Sequence, residues 1–419
     1  MRRLIRNARV LTLAGGSRPR RGREMSDLGV IPRGDVLVEN GVIAAVGEHL
    51  EAADAEVVDA GGRVLMPALI DCHTHACFAG DRLDEWEMKR RGATYLEILQ
   101  RGGGIMSTVR AVRAAGEDDL VRSLVERIGQ MQHLGTTTVE VKSGYGLDAA
   151  TELKMLRAID RAAKIVAPRG VHVVPTALLG HAIDADAPGT PAEFVERTIR
   201  ETLPAVSKEF PGIAVDAYCE NGAWSLEDCR RLFERARELG HPCRVHADQF
   251  NSLGIIDLNT QLGEPGRPLF RTIDHLEATA PPLLERLAES GTIGVLLPCA
   301  GFHTDGRYAD GRRLIDAGGA VAVATNCNPG SAPCLSVPMA VALAVRFNGL
   351  SVAEAITAVT VNAAAACGLA DRGAIAPGQR ADLLLLNTTD ERRLAHDFGA
   401  SPVAALFPAA APAITAPWG

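Results

Sequence analysis

The feature that most constrains the fold of this chain is an alternation of short apolar runs with helical segments, repeated eight times. The runs are VLMPALIDCHTH, TTTVEVKSGYG, VHVVPTALLGH, IAVDAYCENG, PCRVHADQ, RTIDHLE, TIGVLLPCAG and AVAVATNCNPG. Helical periodicity fills the gaps, as in TELKMLRAIDRAAKIV and SLEDCRRLFERARELG, for which we expect Thr151 and Ser225 as the N-caps. Eight strand–helix units predict an α/β protein with a (β/α)8 barrel of the TIM type.

The two ends of the chain are β-rich. LIRNARVLTL and DVLVENGVIAAVG near the N-terminus, and GAIAPGQRADLLLLN near the C-terminus, contain short apolar, often β-branched runs interrupted by Gly and Asn-Gly turns. We therefore predict a small β-sandwich domain formed by both termini, residues 1–66 and 369–419, and a barrel domain at residues 67–368. A chain of 419 residues is long enough for one large core and a smaller one.

Almost every predicted strand ends in polar or ionisable residues, and barrel enzymes carry their catalytic residues at the C-terminal ends of strands. In DCHTH, His73 and His75 alternate along a strand and therefore point the same way. His246, in VHADQ, ends the fifth strand and supplies a third nitrogen. An HxH pair alone is more often structural, but three histidines with an open position suit Zn²⁺ or Fe²⁺ holding a water. The pattern indicates a metal-dependent hydrolase.

Further candidates end the other strands. His275, in IDHLE, suits a fourth metal ligand or an acid/base, and the alternative is a structural histidine bonded to Asp274. His181, in LLGHA, is expected to donate a hydrogen bond to substrate, or else to be structural. Lys142 ends the second strand and resembles the bridging lysine of a binuclear site. The fourth strand, where such a lysine is expected, ends in Glu220 instead, which favours one metal ion.

Arg82 in FAGDR and Tyr145 in KSGYG indicate a small anionic substrate, because an arginine fork binds a carboxylate well. Either residue alone is more often a surface arginine or a core tyrosine. NPGS at 328–331 predicts a tight turn whose exposed backbone amides can meet a carboxylate or an oxyanion.

Composition argues against several other classes of protein. The formal net charge of −7 gives no support for nucleic-acid binding, and we interpret RPRRGR at 18–23 as a solvated loop. No run of about 18 apolar residues predicts a membrane span, and arginines interrupt the apolar stretch at the N-terminus, so no signal peptide is expected. Nine scattered cysteines without a C-x-x-C pair favour reduced thiols in the cytoplasm.

The motifs together resemble those of one enzyme family. DCHTHACFAGDR, RGATYLEILQRGGGIMSTVRA, TTTVEVKSGYGLDAATELKMLR, VHADQ, DHLE and NCNPGS are similar to segments of the imidazolonepropionases, which belong to the amidohydrolase superfamily. The resemblance covers nearly the whole chain. It implies one zinc or iron ion and hydrolytic opening of 4-imidazolone-5-propanoate to N-formimidoyl-L-glutamate in histidine degradation.

The resemblance also implies roles for individual residues. It places metal ligands at His73, His75 and His246, with Asn326 at a fourth metal position. It assigns the reaction to His275, with Gln249 and Asn326 beside it. The implied substrate contacts are Arg82, Tyr145, His181, Gln249, Asn328, Gly330 and Ser331. A small anionic cyclic substrate and a homodimer are the expected partners, with no nucleic acid and no membrane.

Two departures from the family pattern bear on function. Asn326, in TNCNPG, stands where the family leads one to expect aspartate, and an amide cannot accept a proton as a base. The segment PCAGFHTDGRYADGRRL after the seventh strand lacks the family's aromatic and Pro-Pro run. Three hypotheses follow: an imidazolonepropionase with altered or impaired proton handling, an amidohydrolase acting on another cyclic amide or amidine, or a non-catalytic relative. An introduced change at Asn326, made to trap a substrate complex, is also compatible with the sequence.

Overall fold

Two eight-stranded sheets organise the protein in the computed structural model, which describes residues 2–16, 18–93, 97, 102–263 and 267–415. One sheet is parallel and forms the barrel, and the other is built from the two ends of the chain. Part of the motif RGATYLEILQRGGG at 91–104 lies outside the described residues.

The barrel consists of eight parallel strands in sequential order. They are β6 (Leu69–Asp71), β7 (Thr136–Lys142), β8 (His172–Gly180), β9 (Ala214–Cys219), β10 (Cys243–Ala247), β11 (Phe270–His275), β12 (Ile293–Leu296) and β13 (Ala320–Val323). The barrel closes just beyond β6 and β13, where Thr74 and Cys327 form a parallel bridge. There the Asn326 N–H donates to the His73 carbonyl at 3.1 Å. The predicted barrel is confirmed, strand by strand.

The helices surround the barrel and follow its strands. They are α1 (Leu83–Arg90), α2 (Ile105–Ala114), α3 (Glu117–His133), α4 (Ala149–Val166), α5 (Pro191–Arg197), α6 (Leu203–Glu209), α7 (Leu226–Glu238), α8 (Ile255–Leu262), α9 (Pro281–Glu289), α10 (Pro298–His303), α11 (Gly311–Asp316), α12 (Val337–Phe347), α13 (Val352–Ala358), α14 (Val361–Ala366) and α15 (Arg393–His396). Short 3₁₀ turns occur at Gly22–Ser26 and Ala167–Arg169, and a π-helical turn at Thr198–Thr202 joins α5 to α6.

One of the two predicted helix caps is confirmed. The Ser225 side chain caps α7 by accepting a hydrogen bond from the Asp228 N–H. The other prediction was wrong, because α4 begins before Thr151 and is capped by Asp148, whose carboxylate accepts from the Thr151 N–H at 2.8 Å. Aspartate is as good an N-cap as threonine. Because Asp148 precedes Thr151, the helix begins three residues earlier than expected.

The second sheet contains β1 (Arg2–Leu11), β2 (Val30–Glu39), β3 (Val42–Gly47), β4 (Glu56–Asp59), β5 (Val64–Pro67), β14 (Leu383–Leu386), β15 (Val403–Phe407) and β16 (Ile414–Thr415). It branches at β1, which pairs with β2 on one side and with both β4 and β5 on the other. β14 joins the C-terminal strands to β5, so both ends of the chain share a small apolar core of their own. The terminal β-unit is confirmed, while its boundaries at 66 and 369 stay predictions.

The basic segment at 18–23 corrects one expectation. Arg20 is only 1% exposed, and its guanidinium donates to the carbonyls of Ala14 at 3.0 Å and Gly15 at 3.2 Å. Its backbone N–H donates to Asn362 of α14 at 2.8 Å. The segment is therefore attached to the rest of the protein through Arg20, and it is not a fully solvated loop.

Two further observations concern the class of protein. Among the described residues, no helix combines the length and the apolarity needed to cross a membrane. All nine cysteines are free thiols.

Candidate metal centre and active site

Three buried histidines converge at the C-terminal end of the barrel. His73 and His75 follow β6, and His246 lies in β10. One ring nitrogen of each lies within 4.8 Å of the others, and none of the three residues is more than 3% exposed. The structure therefore brings together the three residues that the sequence pattern selected as metal ligands.

The nitrogen atoms suit a cation. The Nε2 atoms of His75 and His246 are 3.2 Å apart, and His73 Nε2 is buried without a hydrogen-bond partner among the described residues. Lone pairs that face each other at this distance repel unless a proton or a cation lies between them, and an unpaired buried nitrogen costs free energy. Three imidazoles are a common ligand set for a divalent transition metal. The residues present therefore fit a metal ion.

Two aspartates orient the histidines from behind. Asp274 accepts a hydrogen bond from His73 Nδ1 at 2.6 Å, and Asp216 accepts from His246 Nδ1 at 3.0 Å. Each bond places the proton on Nδ1 and turns the Nε2 lone pair toward the centre, as carboxylates do behind metal-ligating histidines. Sequence reasoning did not give either aspartate this role. Both lie on barrel strands, Asp274 one residue and Asp216 three residues before the strand end, and this position was the available signal.

Burial keeps the histidines neutral. It lowers the pKa of His73 and of His75 well below the usual value, and the nearby positive charge of Lys142 acts in the same direction. Burial also lowers the pKa of His246, against the opposing effect of Asp216. Neutral imidazoles offer the lone pairs that metal binding requires.

Lys142 belongs to a buried ion-pair network. Its ammonium donates to Glu140 at 2.9 Å and to Asp216 at 2.8 Å, and all three side chains are fully buried. Burial alone would lower the pKa of Lys142, but Asp216 and Glu140 raise it overall. A lysine that stays protonated cannot be carboxylated, so this geometry agrees with the expectation that Lys142 is not a bridging metal ligand.

Asn326 lies against the histidine cluster. Its N–H bonds to the His73 carbonyl at 3.1 Å, and its buried Oδ1 has no hydrogen-bond partner among the described residues. The backbone is left-handed there, with φ 57°, a conformation that asparagine and aspartate tolerate better than most residues. The unpaired oxygen is a neutral donor atom available to a cation.

His275 has a different hydrogen-bond partner from the one expected of a structural histidine. The bond to Asp274 expected for a structural histidine is absent, because Asp274 bonds His73 and Arg244 instead. His275 Nδ1 donates to Glu277 at 3.2 Å, which leaves Nε2 able to accept a proton. The ring lies 5.6 Å from that of His246, and its backbone φ of 90° is strained for a non-glycine residue.

Gln249 is held by a residue that sequence reasoning missed. The Tyr218 hydroxyl donates to Gln249 Oε1 at 2.8 Å. The amide NH₂ of Gln249 therefore faces away from Tyr218 and is available as a hydrogen-bond donor. The Tyr218 ring lies 6.0 Å from His246 and 6.5 Å from His275. Its place on β9, one residue before the strand end, resembles that of an ordinary core tyrosine.

His181 and Tyr145 form the neighbouring wall. The His181 ring stacks on His75 at 5.0 Å, and Tyr145 lies 5.0 Å from His181. His181 Nδ1 donates to the Gly144 carbonyl at 2.8 Å, and burial lowers its pKa to about 3. The contact of His181 with substrate stays a prediction, and the neutral imidazole offers a free Nε2 lone pair instead of the expected donor. In this state it accepts.

Arg82 reaches the NPGS turn. Its guanidinium packs on Gly330, where a Cβ would meet Nη1 at 3.1 Å, and it is ion-paired with Glu85. The turn is closed by Asn328, whose Oδ1 accepts from the N–H groups of Gly330 at 2.9 Å and Ser331 at 2.7 Å. These amides are thus already bonded and are not the free donors that we expected.

The segment after β12 borders the same end of the barrel. It forms α10, and the Arg307 guanidinium beyond it lies 4.7 Å from the ring centre of Phe250, next to Gln249. Phe302 in α10 is 60% exposed. The part of the chain that departs from the family pattern is therefore close to the predicted substrate contacts.

Comparison with known proteins identifies the family of this chain. A model of the amidohydrolase family matches residues 87–402. An imidazolonepropionase of Herpetosiphon aurantiacus is 43% identical over 405 residues, which cover 94% of this chain and 92% of that one. The chain belongs to the imidazolonepropionase family. A Deinococcus radiodurans member is 44% identical over 394 residues, covering 94% of this chain and 95% of that one.

Solved structures agree on the fold. A 5-methylcytosine deaminase from Klebsiella pneumoniae superposes with a TM-score of 0.74 at 18% identity, covering 97% of this chain and 96% of that one. An adenosine deaminase from Xanthomonas campestris with bound zinc has a TM-score of 0.65 at 19% identity, covering 98% and 92%. At these identities the likeness concerns the amidohydrolase fold, whereas the imidazolonepropionases are similar in sequence.

Proposed function

We propose that this protein hydrolyses 4-imidazolone-5-propanoate to N-formimidoyl-L-glutamate in histidine degradation, with one divalent metal ion, zinc or iron. The observation that carries the proposal is the convergence of His73, His75 and His246 in a chain more than 40% identical to imidazolonepropionases. Overall, one water adds to the ring carbonyl carbon, the adjacent ring C–N bond breaks, and the freed nitrogen gains a proton.

When bound, such a metal lowers the pKa of water toward about 7 and polarises a carbonyl. The chain has two tasks of its own at this centre. Asp274 and Asp216 hold His73 and His246 with their Nε2 atoms inward, at 2.6 and 3.0 Å from the Nδ1 atoms. His275, whose Nδ1 is committed to Glu277, takes the proton of the attacking water on Nε2 and delivers it to the leaving nitrogen.

Substrate is held by residues that surround this centre. Arg82 and Tyr145 bind the propanoate, since a guanidinium gives a charge-assisted pair with a carboxylate. His181 accepts a ring N–H, and the Gln249 amide donates to a ring acceptor. Asn328, Gly330 and Ser331 shape the turn on which Arg82 packs.

Asn326 contributes a neutral oxygen near the metal position and no proton transfer. We therefore propose an enzyme whose proton handling depends on His275 alone. The two residues that an imidazolonepropionase would use in concert are reduced to one, and the reaction is correspondingly slower.

The deciding experiment combines metal analysis with turnover. Purified protein should hold about one Zn or Fe per chain, and His73→Ala should lose most of it while keeping the folded circular-dichroism spectrum. Metal together with imidazolonepropanoate turnover supports the proposal. Metal without turnover points to another cyclic amide or amidine as the substrate. The altered segment after β12 is the observation that suggests this alternative. Neither metal nor turnover points to a non-catalytic relative.

We also propose that the enzyme acts in the cytoplasm as a homodimer. Nine unpaired cysteines suit a reducing compartment. Light scattering on the eluting peak of a sizing column measures the mass directly, and a monomer mass of 44.3 kDa would refute the dimer.

A further inference from the structure

A cleft opens at the end of the barrel opposite the histidines. It has a volume of about 520 Å³ and lies where β10, β11 and β12 begin. Pro242, Leu269 and Ile293 supply part of an apolar wall. None of the residues to which we assign catalysis or substrate binding lines it.

Arginines dominate the polar lining of this cleft. Arg18, Arg237, Arg267 and Arg271 all border it, and within the described ranges no Asp or Glu does. Arg18 donates to the carbonyls of Ala370 at 3.3 Å and Arg372 at 3.1 Å, which position it without neutralising it. In a chain with a formal net charge of −7, such a concentration of cations is unusual.

An adjoining hollow does contain carboxylates, but these have partners of their own. Glu234 pairs with Arg230 at 2.7 Å, and Glu238 pairs with Arg235 at 2.8 Å. The positive charge of the cleft is therefore not cancelled by them.

Arg271 is fixed in place without a counterion. Across the described part of the chain, no hydrogen bond or ion pair engages its guanidinium, nor that of Arg267. The side chain lies across Gly368, where a Cβ would meet Nη1 at 2.7 Å. Burial lowers the pKa of Arg271, and the charge of Arg244 lowers it further. The C-terminus of α14 gives some compensation, but a helix of six residues has a weak dipole.

His241 adds an independent indication of a ligand. It lines the same cleft and is 3% exposed, and its Nδ1 donates to the Ile213 carbonyl at 2.8 Å. Its Nε2 is buried and has no partner in the described structure. Buried polar atoms of native proteins are nearly always bonded to protein, water or ligand.

We propose that this cleft is a binding site for a small oxyanion, phosphate or carboxylate, held between the guanidiniums of Arg267 and Arg271, with the Nε2 lone pair of His241 accepting from the O–H of hydrogen phosphate. The two guanidiniums supply planar donor pairs that match either group. The strands that begin here, β10 and β11, end at the histidine cluster. Their backbone therefore connects the proposed anion site to His246 and His275 over a few residues. The site is separate from the proposed active site and does not depend on the function assigned to it.

The test is calorimetric titration of the metal-loaded protein with inorganic phosphate, and separately with glutarate, at ionic strength held constant with NaCl. The variant R267Q/R271Q should weaken binding of the preferred anion at least tenfold. R122Q/R200Q, which removes two exposed arginines elsewhere, is the charge-matched control and should bind like the wild type. The phosphate and glutarate arms identify which oxyanion the site prefers.

His241→Asn provides a second variant that keeps the fold. Its amide N–H replaces the Nδ1 donor to Ile213, while the atom equivalent to Nε2 is lost. We expect about a tenfold loss of affinity, as for one charge-assisted hydrogen bond. Equal affinity in wild type, R267Q/R271Q and H241N would overturn the proposal, because the anion would then bind elsewhere. Absence of saturable binding of both anions would overturn it as well.

Discussion

Asn326→Asp is the substitution that most directly tests the proposed chemistry. The two side chains are nearly the same size, and the left-handed backbone at φ 57° suits both. Oδ1 of Asn326 already lies buried without a partner among the described residues, beside the His73 backbone, so the carboxylate fits without repacking. The change adds one negative charge and one proton acceptor to an otherwise unchanged site.

The expected magnitude follows from the role of the added group. A positioned acid/base is worth ~10²–10⁴-fold in rate, and His275 already supplies one such group. We therefore expect kcat to rise about 10²-fold, the lower end of this range. The added carboxylate acts only when ionised, so the kcat/KM profile of the N326D variant should gain an acidic limb, with activity falling as pH falls through the pKa of the introduced carboxyl group.

The assay compares the two proteins side by side, metal-loaded and matched for metal content. Asn387→Asp is the control, because it makes the same exchange of amide for carboxylate at an exposed position of the terminal β-unit, and it should give no acceleration. If N326D is no faster than the wild type, His275 or another group already completes the proton transfer, and the idea of impairment is wrong. If neither turns over imidazolonepropanoate, the substrate is misassigned.

Two other substitutions test the substrate contacts. Arg82→Met removes a charge-assisted bond worth roughly 1.5–3 kcal/mol, so KM for the propanoate substrate should rise at least tenfold, and unchanged kinetic constants would remove Arg82 from the site. Tyr218→Phe frees the Gln249 amide, now held at 2.8 Å, and should lower kcat/KM about fivefold, the effect of one hydrogen bond of ~1 kcal/mol. An effect of Y218F on stability alone, with kcat/KM intact, would show that Tyr218 only packs.

The sequence predicted the barrel well because its signal is periodic and local. Each of the eight apolar runs became a strand, and the same-face spacing of His73 and His75 placed them together at the mouth. A strand's alternation is an intrinsic property of the chain, so it survives folding. The start of α4 was less predictable, because Asp148 and Thr151 are both good caps and the choice depends on the preceding loop.

What the sequence could not predict are contacts between strands far apart in the chain. Asp274 lies next to His275, which made their pairing the natural expectation. Adjacent residues on a strand point to opposite sides, however, so Asp274 turns away and meets His73, 201 residues earlier. The bond from His181 to Gly144 likewise joins the residue after β8 to the loop after β7, and together with the burial of the ring it leaves Nε2 as an acceptor.

The charge balance around the histidines gives a further prediction about Asn326. Glu140, Asp216 and Asp274 carry three negative charges against two positive charges on Lys142 and Arg244, so this buried network sums to −1. A divalent cation brings the sum to +1, and an aspartate at position 326 would bring it to zero. Opposite charges attract strongly at buried positions, so N326D should bind Zn²⁺ at least tenfold more tightly than the wild type. Competition with a coloured chelator measures this directly. Equal affinity would mean that Oδ1 of residue 326 does not face the ion, and the predicted gain in kcat would lose its structural basis.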